Sequence, residues 1–85
     1  GEFASRILCL GEQTLGTLSS RVPYVEYSKD GHALLVICNT ANSEQLVKLP
    51  MRHEGLEMTN CLTGVTETPE TVLTFAPYEY RIYTR

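Results

Sequence analysis

Apolar residues recur along this chain in short runs separated by polar and turn-forming residues. One run, Ala33-Leu34-Leu35-Val36-Ile37-Cys38, is unbroken. A strand with one face in water alternates apolar and polar positions, so this stretch predicts a strand covered on both faces, at the centre of a layered sheet. It is far shorter than the ~20 apolar residues of a membrane span. The β-branched Val36 and Ile37 favour strand over buried helix.

Ahead of it stands Lys29-Asp30-Gly31-His32. Asp-Gly between two β-type runs predicts a tight hairpin, because glycine takes the positive φ such turns need. The hairpin pairs Tyr24–Ser28 with Ala33–Asn39, and alternation puts Tyr24, Glu26 and Ser28 on one face and Val25 and Tyr27 on the other.

The other runs are shorter. Arg6–Leu10 predicts a first strand, and Gln13–Leu18, interrupted by Gly16, a turn with a short irregular strand. Glu44–Leu49 reads as half-exposed strand ended by Pro50, Met51–Glu57 as a polar loop, and Leu56–Leu62 as an alternating segment. After the Thr63-Gly64 turn, Val65–Thr68 reads as an edge strand. Thr71–Phe75 places Leu73 and Phe75 on one face, and Tyr78–Tyr83 closes the chain with Tyr78, Tyr80 and Ile82 sharing a face. No stretch holds an apolar period of 3.6 over ten residues or more. The pattern predicts an all-β fold: an antiparallel two-sheet β-sandwich of Greek-key type with about seven to eight short strands. The 85 residues read as a single domain, 1–85, of which Gly1-Glu2-Phe3 reads as a cloning remnant.

Composition narrows the function classes. The net charge of −3, with no basic cluster, argues against nucleic-acid binding and against a polybasic membrane contact. Cys9, Cys38 and Cys61 are odd in number and widely spaced, which does not suit a disulfide framework. They read as packed thiols of a reducing, cytoplasmic compartment, with one disulfide plus a free thiol as the alternative. The run Arg6–Leu10 is too short for the apolar core of a signal peptide.

Candidate chemistry is sparse. The three cysteines with His32 and His53 lack the spacing of a zinc site. No context activates a cysteine as nucleophile, and the histidines read as surface residues, His32 in a turn and His53 in a polar loop. The carboxylate pairs Glu67/Glu70 and Glu2/Glu12 fall in turns and edges, and no phosphate loop is present. No catalytic residue and no cofactor is therefore assigned. Aromatic residues remain: Tyr24, Tyr78 and Tyr80 are the candidate carbohydrate-binding residues, and Tyr83 too is expected to be exposed. Ordinary packing with the hydroxyl in water is the competing reading.

Ala33–Pro50 resembles the "LLVVLN-x-S…-x-V-x-LP" stretch of the C-terminal all-β domain of α-amylase-family (family 13-like) glycoside hydrolases. Asn60-Cys61-Leu62-Thr63-Gly64 resembles that family's "D-L-L-T-G" turn, with Asn60 where an aspartate often stands. Thr71–Tyr83 resembles its closing "L-x-L-x-P-Y-x-x-x-V-L" strand pair. The pieces keep order and spacing over Val22–Tyr83. The resemblance implies a non-catalytic accessory domain that packs against and stabilises a catalytic (β/α)₈ barrel absent from this chain, in an enzyme acting on α-glucans. The catalytic carboxylates of such enzymes lie on the barrel, so none is carried over. The expected partners are that barrel and, through the tyrosines, an α-glucan. The alternatives are an independent carbohydrate-binding or protein-interaction module. An accessory role predicts an apolar patch on one side of the sandwich.

Overall fold

The computed structural model describes residues 12–53, 55–69 and 72–85. The strand expected at Arg6–Leu10, the remnant Gly1-Glu2-Phe3 and Cys9 lie outside them. Eight strands are described: β1 (Glu12–Ser19), β2 (Val22–Lys29), β3 (His32–Cys38), β4 (Gln45–Val47), β5 (Met58–Asn60), β6 (Thr66–Glu67), β7 (Leu73–Phe75) and β8 (Tyr80–Thr84). A single 3₁₀ turn, Met51–His53, lies between β4 and β5. One sheet has the order β1-β2-β3-β8-β5-β6, the other is the pair β4-β7, and every pairing is antiparallel. The chain leaves the large sheet after β3, returns at β5 and leaves again before β7, so β8 closes beside β3. The all-β expectation is borne out.

The Asp-Gly hairpin forms as its sequence requires. Tyr24 opposes Ile37 and Lys29 opposes His32. Asp30 and Gly31 have φ of 52° and 80°, the two positive values of a two-residue hairpin turn whose twist matches the strands.

Alternation sorts the large sheet into two faces. Val22, Tyr24 and Glu26 of β2, Ala33, Leu35 and Ile37 of β3, and Tyr83 of β8 point inward. Val47, Leu73 and Phe75 of the small sheet close over them, with Met58 completing the core. Full burial of Phe75, Leu35 and Ile37 stabilises the fold by about 1.5–3 kcal/mol each. The expected half-exposed pattern of β4 holds: Val47 is buried, while Leu46 and Lys48 are exposed.

Several expectations are corrected. Gln13–Leu18 lies within a full strand, irregular only where the register shifts between Thr17 and Ser19. Gly16 does not break it. The Tyr24 ring occupies the space a side chain would fill, so that a Cβ at position 16 would lie 2.7 Å from it. β3 is central, but its second face is only partly covered, because Val36 and Cys38 are half-buried. Tyr83, expected at the surface, is buried in the core. Cys61, expected to be a packed thiol, is exposed and free, whereas free Cys38 is half-buried. Tyr78 does not share the face of Tyr80 and Ile82; it belongs to the turn before β8. His53, read as a surface residue, is fully buried.

Candidate functional site

His53 is buried because an acid waits for it. Glu26 points inward from β2, and the 3₁₀ turn Met51–His53 brings two cationic or polar side chains onto its carboxylate. Arg52 binds it through Nε at 3.0 Å and Nη2 at 2.6 Å, and His53 Nε2 lies 2.7 Å from Oε1. Arg52 also donates to the Tyr24 hydroxyl at 3.3 Å. On the far side of the imidazole, Arg85 Nε donates to His53 Nδ1 at 2.9 Å.

Arginine has only donors, so this contact fixes the ring. Nδ1 must carry the lone pair, and Nε2 carries the proton that it donates to Glu26. Burial alone pushes the Glu26 carboxyl up. The hydrogen bonds of Arg52 and His53, with the charge of Arg52, outweigh it and hold the group below the ordinary carboxylate range. Arg52 is shifted the other way, chiefly by its hydrogen bonds to Glu26.

An acid–histidine pair invites a catalytic reading, and the geometry answers it. A general base needs a ring nitrogen within reach of a substrate proton. Both nitrogens of His53 are committed to protein partners, and the ring is fully buried. Next to it an open cleft of about 480 Å³ is lined by Ser28, Lys29, Asp30 and His32, with Glu26 and Arg85 at its inner end. Among the described residues no group of three metal-ligating side chains comes together, and no described helix is long and apolar enough to cross a membrane.

The three candidate tyrosines are not brought together. Tyr24 lies on the inner face, half-buried over Gly16, with its hydroxyl on Arg52. Tyr80 opposes Cys38, on the outer face, and is 54% exposed. Tyr78 is 65% exposed at the tip of the turn Ala76-Pro77-Tyr78-Glu79. The Glu79 N–H closes that turn on the Ala76 carbonyl at 3.0 Å. Proline second and a positive φ, 59°, third mark a type II turn, whose third position favours glycine.

Sequence reasoning passed over the residue that holds this turn. Asn39, fully buried at the end of β3, donates from Nδ2 to the carbonyls of Ser43 and Ala76, each at 3.0 Å. Its Oδ1 accepts the Ala41 N–H at 2.9 Å. The Tyr78 N–H in turn bonds the Ala41 carbonyl at 3.1 Å. One carboxamide thus fixes the loop 40–43 and the Tyr78 turn against each other. An asparagine that follows an apolar strand and precedes a polar loop was the available signal, but it reads equally as a local turn residue.

The outer face of the large sheet carries the expected apolar patch. Leu15 opposes Val25, Val25 opposes Val36, and Val36 opposes Ile82. The row crosses four strands without a polar residue. Leu15 is 70% exposed, and Val25, Val36 and Ile82 are half-buried.

No family model matches the sequence, and no curated protein matches it. Among solved structures, the fold is similar to part of AmyP, crystallised in complex with maltose, with a TM-score of 0.73 and 20% sequence identity. The likeness takes in 93% of this chain and 17% of the AmyP chain, so the chain corresponds to a small part of that protein.

Proposed function

We propose that this chain is a non-catalytic accessory domain of a glycoside hydrolase acting on α-glucans, and that it packs against and stabilises a catalytic barrel. The observation that carries the reading is the fold likeness to 17% of a protein crystallised with maltose, an α-linked glucose disaccharide. The sequence resemblance to α-amylase-family C-terminal domains supports it independently. The commitment of Glu26, Arg52, His53 and Arg85 to one another also fits a domain without a reacting centre.

The docking face in this reading is the outer side of the large sheet. The apolar row from Leu15 to Ile82 is uncharged, and exposed Tyr80 flanks it. A rigid sheet face with an aromatic at its margin suits a permanent contact with another domain of the same polypeptide. The test is the full reading frame that encodes this chain. It should encode a barrel, and the expressed product should hydrolyse an α-glucan, whereas the 85-residue chain alone should not. Leu15→Asp and Tyr80→Asp alter exposed side chains. They should lower the thermal midpoint of the long protein and leave that of the isolated chain unchanged. A frame with no barrel refutes the proposal. A barrel whose stability ignores both substitutions refutes the docking face.

A further inference from the structure

The His53 ring sits between one group that favours a second ring proton and one that opposes it. On the Nε2 side stands the Glu26 carboxylate at 2.7 Å, an acceptor whether the imidazole is neutral or charged. On the Nδ1 side stands Arg85 Nε at 2.9 Å, which can only donate. A proton taken up at Nδ1 sets N–H against N–H and brings two positive charges to hydrogen-bond distance. One neighbour must then give way, and the surroundings decide which. The ring is fully buried, and its charged form is paired with Glu26. Glu26 is in turn bound by Nε and Nη2 of Arg52, from the same turn as His53, and Arg52 donates on to the Tyr24 hydroxyl. The Glu26 carboxyl lies below the ordinary range, so it stays ionised while an imidazole gains its proton.

Arg85 is held less firmly. Its side chain is half-buried and lines the open cleft of about 480 Å³, together with Lys29, Asp30 and His32 of the β2–β3 hairpin. Its backbone is fixed independently of the guanidinium, because its N–H and carbonyl pair with Ala33 at 3.1 and 3.0 Å. The side chain can therefore leave His53 without unzipping β8 from β3. The charged groups around the ring are thus Glu26 and Arg52 on one side and Arg85 on the other, with Lys29 and Asp30 in the cleft. We propose that His53 and Arg85 form a proton-operated latch. Uptake of a proton at His53 Nδ1 breaks the bond to Arg85 Nε, and the Arg85 guanidinium swings into the cleft while the ring stays paired with Glu26. The cleft receives it beside Asp30, whose side chain is 82% exposed and 3.8 Å from Lys29 Nζ. Before proton uptake the cleft is open; after it, the guanidinium fills it. This latch is separate from the sheet face read above as the docking surface and does not depend on it.

The experiment follows the 85-residue chain by NMR from about pH 8 to about pH 5, the range in which imidazole side chains take up protons. The His53 ring nitrogens report protonation directly, and the Arg85 Nε–H cross peak reports the contact. The Arg85 signal should move along the same single-proton curve as the His53 nitrogens. The amides of Gly31 and Ala33, in the cleft wall, should move with it while circular dichroism stays unchanged. In His53→Gln the side chain can still donate to Glu26 and accept from Arg85 but cannot take up a proton, so the Arg85 signal should become independent of pH. Should that variant not fold, Arg85→Leu alters only a half-buried side chain and should abolish the pH response of Gly31 and Ala33. His32 carries an imidazole of its own, with Nδ1 3.3 Å from the Arg85 carbonyl oxygen, so the titration is repeated on His32→Gln, where the Arg85 response should persist. An Arg85 signal that ignores the protonation of His53, or a His53 ring that stays neutral down to about pH 5, overturns the proposal. So does a response retained in His53→Gln, one lost in His32→Gln, or unfolding before Arg85 moves.

Discussion

Replacing Asn39 by alanine removes a side chain that no solvent replaces easily. Three hydrogen bonds of 2.9–3.0 Å disappear together. The Ala41 N–H contact is buried, and stranding that donor costs about 1–3 kcal/mol. The Ser43 and Ala76 carbonyl contacts are part-buried, and water recovers some of their loss, leaving about 0.5–1 kcal/mol each. Together these give a loss of about 2–5 kcal/mol. A domain of this length has a total stability of only ~5–10 kcal/mol, so the substitution removes about a fifth of it or more. The thermal midpoint, followed by far-UV circular dichroism, should fall by more than about 10 °C. Asn39→Asp sharpens the test. It keeps the acceptor for Ala41 but sets a carboxylate oxygen against two carbonyls. It should be as damaging as alanine at pH 7 and should recover partly in acid, where the protonated carboxyl donates once more. A loss below about 1 kcal/mol for Asn39→Ala would refute the reasoning, since it would mean that the carbonyls and the N–H find other partners.

Two further outcomes follow from the inner face. Gly16→Ala sets a methyl group 2.7 Å from the Tyr24 ring, which is itself tied to Arg52, and should destabilise the chain by about 1–3 kcal/mol in urea unfolding. Glu26 and Glu79 both sit below the usual carboxylate range: burial raises Glu26 but its bonds to Arg52 and His53 prevail, and Glu79 is lowered chiefly by its hydrogen bond to Arg81. A depressed acid contributes stability above its unfolded value near 4.5 and loses it as pH falls through the folded value. The midpoint should therefore drop below about pH 4.5. Glu26→Gln, weaker at pH 7, should show a shallower acid slope; an unchanged slope would mean that Glu26 contributes none of it.

What the sequence made legible was local or periodic. Asp30-Gly31 dictates its turn within four residues, and the unbroken run of β3 places it mid-sheet. The alternation of β2 sorts its faces correctly. It does not say which face is inner, and here the polar-looking set Tyr24, Glu26 and Ser28 turns inward. The burial of Glu26 depends on partners 26 and 27 residues away, and that of His53 also on Arg85, 32 residues beyond it. No window of sequence contains all three. Gly16 looked like a strand breaker because only the fold reveals the ring that needs its space. The candidate tyrosines fared by the same rule. Alternation put Tyr80 and Ile82 on one face, as found, but Tyr78 was drawn into that pattern although Pro77 already marked a turn. The bond of Asn39 to Ala41 is local enough for a sequence to suggest, whereas its bond across the sandwich to Ala76 spans 37 residues.

The order β1-β2-β3-β8-β5-β6 has a consequence for how the chain is made. Residues 12–38 can zip into a three-stranded meander as soon as they are synthesised, and residues 58–67 into a small hairpin. Neither half touches the other through the ladder until residues 80–84 slot between them. A ribosome adding about 5–20 residues per second therefore leaves the β3 edge open for several seconds. During that interval the most apolar strand of the chain presents its unpaired backbone to any neighbouring nascent copy. Yield at high expression should thus be governed less by the stability of the finished sandwich than by how quickly its final strand arrives.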